Sequence, residues 1–263
     1  MNILAFSTLG CPAWDISRIL SAATEYGYDA VELRGYLADM DLPLAHPFTP
    51  ARRAETRRRF DDAGVAICCV SSSGVVAQGN LDHVKAHADL AQDLGAPWVR
   101  VFGGKLAADL TRDAALGVAA ETLRAFGDAA TRVGVGIVLE THDDFSTGAQ
   151  VAELLALTAH PAVFSLWDLH HPYRQGESPE DTYRLLGGTV RHVHVKDGLV
   201  DGGYQLLGQG DIPLFPRLDL LLDSGYDGPI SLEWEKRWAP QIADPEVAFP
   251  QYARALRAYL DAR

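Results

Sequence analysis

Long hydrophobic runs are what this sequence most clearly lacks. No uncharged apolar stretch reaches about 18 residues, so no transmembrane helix is expected. Basic residues are also scarce: 23 Lys and Arg stand against 35 Asp and Glu, a formal net charge of −12. Such an acidic surface opposes nonspecific binding to DNA or to anionic membrane and leaves room only for a local basic site. Cysteine is limited to Cys11, Cys68 and Cys69. An odd number with two adjacent makes a poor disulfide framework, so a cytoplasmic location is expected. Cys68 and Cys69 lie in an apolar run and read as core. The start of the chain has neither a basic segment nor a small-residue cleavage site, and Met1 to Ser7 reads as a first strand rather than a signal peptide. No G-x-G-x-x-G opens a helix, Gly208-Gln209-Gly210-Asp211 reads as a turn, and neither a P-loop nor a nucleophile elbow is found. No Gly-, Ser- or Pro-rich linker divides the chain, so residues 1–263 are expected to form a single domain.

What is present is 48% hydrophobic residue content arranged in strict alternation of short apolar runs and helical patterns. Strands are expected at Ile3 to Ser7, Asp29 to Arg34, Val65 to Val70, Trp98 to Phe102, Val135 to Leu139, Val163 to Trp167, Val190 to Val195 and Pro229 to Glu233. Between and after them, helical periodicity runs from Ile16 to Gly27, Ala51 to Ala63, Leu81 to Leu94, Arg112 to Val133, Gln150 to Thr158, Pro213 to Asp223 and Val247 to Ala262. Ser178-Pro179-Glu180-Asp181 has the form of a capping box that opens one further short helix. Eight alternating units predict an α/β fold, a single (β/α)8 barrel with a parallel sheet. Two segments read as loops: Gly35 to Pro50, long enough to suggest a functional role, and Ser71 to Gly74. The five arginines of Ala51 to Ala63 read as a solvated face.

Four strands end in chemistry. Leu166-Trp167-Asp168-Leu169-His170-His171-Pro172 brings an acid and two histidines to the end of one apolar run. Gly136 to His142, His192 to Asp197 and Ile230 to Glu235 end alike. Glu140, Asp168, His194 and Glu233 are separated by 28, 26 and 39 residues. A barrel unit takes about 30 residues, so these four sit at equivalent strand ends. The C-terminal strand ends carry the active site in such barrels. Three carboxylates and an imidazole converging there would repel and stay unpaired without a cation, which points to one divalent metal ion: Mn2+, Mg2+, Co2+ or Zn2+.

At these residues, and in the opening Ser7-Thr8-Leu9-Gly10-Cys11-Pro12, the sequence resembles the xylose isomerase-like barrels. These include ketose 3-epimerases, sugar-phosphate isomerases and epimerases, inosose dehydratase and endonuclease IV. The resemblance implies that Glu140, Asp168, His194 and Glu233 hold one catalytic metal. It selects His194 over His192 because a Val-Lys-Asp run follows it. It implies that His171, three residues after Asp168, contacts substrate. It also implies a small carbohydrate substrate, often a homo-oligomer, and proton transfer on an α-hydroxy ketone through an enediolate, with Glu140 and Glu233 as the two proton carriers and the metal as Lewis acid. The ketose 3-epimerases carry Arg six residues after the metal His, where this chain has Val200. Lys196 either pairs with Asp197 or polarises a carbonyl or protonates a leaving hydroxyl, the last suiting a dehydratase acting on a keto-inositol, a dehydroshikimate or a 3-keto-glycoside. The extra histidines of endonuclease IV are absent from Ser71-Ser72-Ser73 and Phe102-Gly103-Gly104.

Further candidates are His142, two residues after Glu140, as a substrate contact or a support for the metal ligands, and Trp14, Tyr36, Phe48 and Trp234 as pocket walls. Arg237 and Trp238 follow the eighth strand, where barrels often bind phosphate. Glu32 and Arg34 read as an ion pair or as substrate contacts. His170 alternates away from Asp168 and is expected behind the strand.

Overall fold

The computed structural model describes residues 2–263; Met1, the first residue of the expected opening strand, lies outside the described residues. Eight parallel strands close into a barrel: β1 (Leu4–Ser7), β2 (Ala30–Leu33), β3 (Ala66–Val75), β4 (Trp98–Phe102), β5 (Gly136–Glu140), β6 (Val163–Asp168), β7 (Val190–Val195) and an eighth strand, Ile230–Leu232, which pairs with both β7 and β1. Helices α1 (Ile16–Tyr26), α2 (Arg53–Ala63), α3 (Leu81–Leu94), α4 (Arg112–Thr131), α5 (Gly148–Thr158), α6 (His171–Arg174), α7 (Pro179–Leu186), α8 (Leu214–Asp223) and α9 (Pro245–Asp261) surround it.

The two-residue period of a strand explains how one short run serves both core and site. In β5, Ile137 and Leu139 join the apolar layer between barrel and helices. Their neighbours Val138 and Glu140 take the other face, and Val138 packs with Cys69 and Leu166. In β7, Val193 and Val195 join the same outer layer, leaving His192 and His194 to the barrel interior. Ile230 and Leu232 repeat the pattern around Ser231. The helix ends follow their local chemistry. Asp15 caps α1 by accepting from the Arg18 N–H, and Gly27 ends it at φ 79°. Ser178 caps α7 by accepting from the Asp181 N–H, with Pro179 in the first turn, but the return half of the expected capping box is replaced by the Ser178 hydroxyl donating to the Asp181 carboxylate.

Several expectations need correction. β3 does not stop at Val70 but runs to Val75, because the Ser72 hydroxyl donates to the Arg100 carbonyl (2.7 Å) and β3 still pairs with β4 at Ser71 and Val75. Ser71 to Gly74 is therefore strand and not an exit loop. The face of α2 is not wholly solvated: Arg53 is buried, donating to the Phe48 carbonyl and pairing with Asp93 at 2.9 Å. That contact anchors the loop from Gly35 to Pro50, which contains two 3-10 turns, Leu42–Leu44 and His46–Phe48. A small antiparallel hairpin, Asp197–Gly198 with Tyr204–Gln205, follows β7 and was not foreseen.

Candidate metal centre

The ends of β5, β6, β7 and the eighth strand deliver Glu140, Asp168, His194 and Glu233 to one place. All four are buried, and one ligand atom from each lies within 4.8 Å of the others. The Nδ1 of His194 is the hub. It is 3.2 Å from Glu140 Oε1, 3.3 Å from Glu233 Oε2 and 3.9 Å from Asp168 Oδ2.

Beneath this group lies a carboxylate whose role the sequence reading missed. Glu32, on β2, is wholly buried. It accepts from the hydroxyls of Ser71 (2.6 Å) and Ser231 (2.8 Å) and from Nε2 of His192 (3.0 Å) and of His194 (2.9 Å). A carboxylate only accepts, so the Nε2 of His194 must carry a proton. Burial works against the charged form of Glu32, but His194 and His192 outweigh it and hold the carboxyl well below its usual range. The expected Glu32–Arg34 ion pair is not formed. Arg34 lies beyond the end of β2 and donates instead to the Ser73 hydroxyl at 3.0 Å.

The tautomer tests whether a metal fits. With Nε2–H held by Glu32, a neutral His194 turns the lone pair of Nδ1 toward three carboxylates. That arrangement is stable only around a positive charge. In the protein alone a proton supplies it: burial opposes the charged ring, but Glu233, Glu32 and Glu140 hold the His194 pKa well above its usual value. Three oxygens and one nitrogen gathered around that position suit a divalent cation.

Lys196 lies alongside. It is fully buried, donates to Asp168 Oδ2 at 2.6 Å and to Glu233 Oε2, and stands 3.0 Å from Glu235 Oε1. Burial favours the neutral amine, yet these three carboxylates, Asp168 foremost, raise its pKa well above the normal lysine value. Burial acts to raise Asp168, but Lys196 and then His171 bring it down to about 2. Lys196 does not pair with Asp197, whose carboxylate instead accepts backbone N–H groups of Gly198, Gly208 and Gly210. The hairpin turns Asp197 away from the lysine.

Above the cluster, His171 Nε2 is 3.7 Å from Asp168 Oδ2. Its ring meets that of His142 at 4.8 Å, and His142 meets Phe102 at 4.7 Å. Both histidines are part-exposed, so they line the mouth. Arg100, on β4, places its Nε 3.3 Å from Glu140 Oε2. A charged residue centred in an apolar strand, as in Trp98-Val99-Arg100-Val101-Phe102 or Ala30-Val31-Glu32-Leu33, was the signal that could have revealed both Arg100 and Glu32.

Trp14 is a correction, since it is not brought to this cluster. Its indole N–H donates to Glu246 at 3.1 Å, and its ring packs edge-on against Phe249, between α1 and α9. Trp234 is likewise buried, donating to the Ala243 carbonyl. Phe48 is buried in the core, with the part-exposed Tyr36 edge-on against it. Arg237 donates to the carbonyls of Leu37 and Ala38, so it clamps the long loop to the segment after the eighth strand. Trp238 is 56% exposed. His170, expected behind the strand, is buried with its ring stacked parallel to that of His171 at 5.9 Å.

Comparison with known proteins identifies the fold and the family. The chain is 24% identical over 249 residues to fructoselysine 3-epimerase of Escherichia coli O157:H7, covering 86% of this chain and 88% of that protein. It is 30% identical over 161 residues to inosose dehydratase of Lacticaseibacillus casei, covering 53% and 52%. The fold superimposes with a TM-score of 0.81 and 18% identity on the crystal structure of the probable 3-DHS dehydratase AsbF from Bacillus anthracis, over 98% of this chain and 99% of that one. The family model for the xylose isomerase-like TIM barrel matches residues 20–259, and this chain belongs to that family.

Proposed function

We propose that the chain holds one divalent metal ion through Glu140, Asp168, His194 and Glu233 and moves a proton on a small hydroxy-carbonyl substrate of the carbohydrate class, as an isomerase or epimerase. The observation that carries this reading is the Nδ1 of His194, held by Glu32 so that it faces three buried carboxylates. A relative named for a 3-epimerase activity supports it. When bound, the ion would supply Lewis acidity to a carbonyl oxygen.

The protein's own residues supply the rest. Glu140 and Glu233 come from strands separated around the barrel by β6 and β7, so they approach the cluster from different sides. One takes a proton next to the carbonyl and the other returns it. Glu140 Oε2 faces the Arg100 guanidinium at 3.3 Å but has no hydrogen-bond partner among the described residues, which leaves it a lone pair for that exchange. His171 and His142, at the mouth, orient substrate hydroxyls.

Lys196 gives a second reading, a metal-dependent lyase. A buried ammonium between Asp168 and Glu233 can protonate a departing hydroxyl, and one relative is named for a dehydratase activity.

The deciding measurement is elemental analysis of protein purified without chelator, with Asp168→Ala and His194→Ala beside it. About one Mn, Mg, Co or Zn per chain is expected, absent from both variants. Wild type that takes up no metal on adding Mn2+ would overturn the proposal. A panel of ketoses and keto-inositols then separates the readings: an epimer forms in one case and an absorbing enone in the other.

A further inference from the structure

Two arginines beside the site turn guanidinium groups toward it, and donors of one of them are left unfilled by the surrounding side chains. Arg100 is wholly buried, and neither its Nε nor its Nη1 has a hydrogen-bond partner among the described residues. Its guanidinium lies 3.8 Å from the ring centre of Phe102. The guanidinium of Arg34, 5.9 Å from the same ring, is nearly buried and, among the described residues, makes one side-chain hydrogen bond, to Ser73. Burial, and then Arg100, press the Arg34 pKa down to about 9 against the pull of Glu233, Glu140 and Glu32. Among the described residues, Glu140 is the one carboxylate within ion-pair distance of either guanidinium. Like charges gathered in a buried place with unfilled donors form a receptor for an anion.

We propose that Arg34 and Arg100, flanking Phe102, form an anion subsite that takes a carboxylate borne on the carbon frame of the substrate. The inference rests on the metal-centred proton transfer proposed above and narrows its substrate class to hydroxy-keto acids. The guanidinium fork matches a planar carboxylate. Arg100 is in contact range of Glu140, so the anion must sit close to the carbon whose proton Glu140 handles. A phosphate at the far end of a sugar would not reach it. Barrel phosphate sites also follow the seventh and eighth strands, whereas Arg34 follows β2 and Arg100 lies on β4. A neutral sugar would leave the donors unanswered and lose affinity for it.

The test is calorimetry on Mn2+-loaded protein with three hydroxy-keto acids (3-dehydroshikimate, 2-keto-D-gluconate and 5-keto-D-gluconate) and the methyl ester of each. D-fructose 6-phosphate against D-fructose forms the phosphate arm. At least one acid should bind about tenfold or more tightly than its ester, as expected for charge-assisted hydrogen bonds. Arg34→Met should abolish that preference and move the Kd of the ester less than about twofold. Arg100→Lys, which keeps the charge but not the fork, should retain part of it. Equal binding of every acid and its ester, or a preference that survives in Arg34→Met, overturns the subsite. A preference confined to the phosphate pair overturns the carboxylate assignment. Metal content measured on the same samples keeps the two readings apart. Wild type without metal fails the proposed reaction, whereas metal-loaded wild type without acid preference fails only this inference.

Discussion

Glu32 decides which nitrogen of His194 is left to face the carboxylates, although it lies outside the cluster itself. Its four donors leave it fully satisfied, and two of them, Ser71 and Ser231, reach in from β3 and the eighth strand. Glu32→Gln would keep the size but put an amide among groups that all donate. His194 would then lose the partner that fixes its ring. Supports of this kind are worth about 10–100-fold in metal affinity. We expect Glu32→Gln to weaken Mn2+ or Zn2+ binding by that range in a competition titration against a chelating dye. An unchanged affinity would show that the tautomer is set elsewhere. The sequence could name Glu32 but not its partners. Residues 32 and 34 alternate onto one face of an ideal strand, so a pair between them was the natural reading. β2 ends at Leu33, and the chain turns before Arg34 can follow that face. Of the two readings of Lys196, the pair with Asp197 fails for a similar reason, since neighbours in sequence diverge where β7 gives way to the hairpin.

At the scale of elements, the apolar strands were legible because a parallel sheet buries both faces. Their exits were harder. Ser71-Ser72-Ser73-Gly74 has the composition of a turn, and tertiary bonds to Glu32, Arg100, Arg34 and His83 keep it extended. The exit of β4 is tighter still. A Cβ added at Gly103 would lie 2.2 Å from the buried ring of Phe145, which bridges back to His142 at the mouth. Gly103→Ala should therefore destabilise by about 1–3 kcal/mol through overpacking and should shift the His142 turn. Gly117, in the exposed middle of α4, meets nothing within 4 Å and has no positive φ. Gly117→Ala should stabilise by about 0.5–1 kcal/mol, because the glycine penalty within a helix is removed. Thermal or denaturant unfolding of the two variants reads both signs. If Gly103→Ala is neutral, the β4 exit has more room than the contact distance allows.

The whole molecule carries its acidic excess unevenly, and the barrel concentrates part of it where water cannot screen it. Glu32, Glu140, Asp168 and Glu233 are all buried within reach of His194. They come from β2, β5, β6 and the segment after the eighth strand, so their mutual repulsion acts across much of the barrel. A divalent ion at the centre would tie those strands together, and its binding energy would add to folding energy. At a free metal concentration about 100 times Kd, the linkage gives about 2.7 kcal/mol. For a chain of this size that corresponds to a rise in Tm of roughly 5–10 °C. Chelator-treated protein should melt lower by that margin, recover on adding Mn2+, and show no response in Asp168→Ala. The variant itself should not be read as a gain from relieved repulsion, because it strips Lys196 of one of its three carboxylate partners. The diagnostic quantity is thus the metal response, not the absolute Tm. A wild-type Tm that ignores both chelator and metal would mean that the His194 proton and Lys196 already balance the cluster, and the four strand ends would then be a closed ion-pair network.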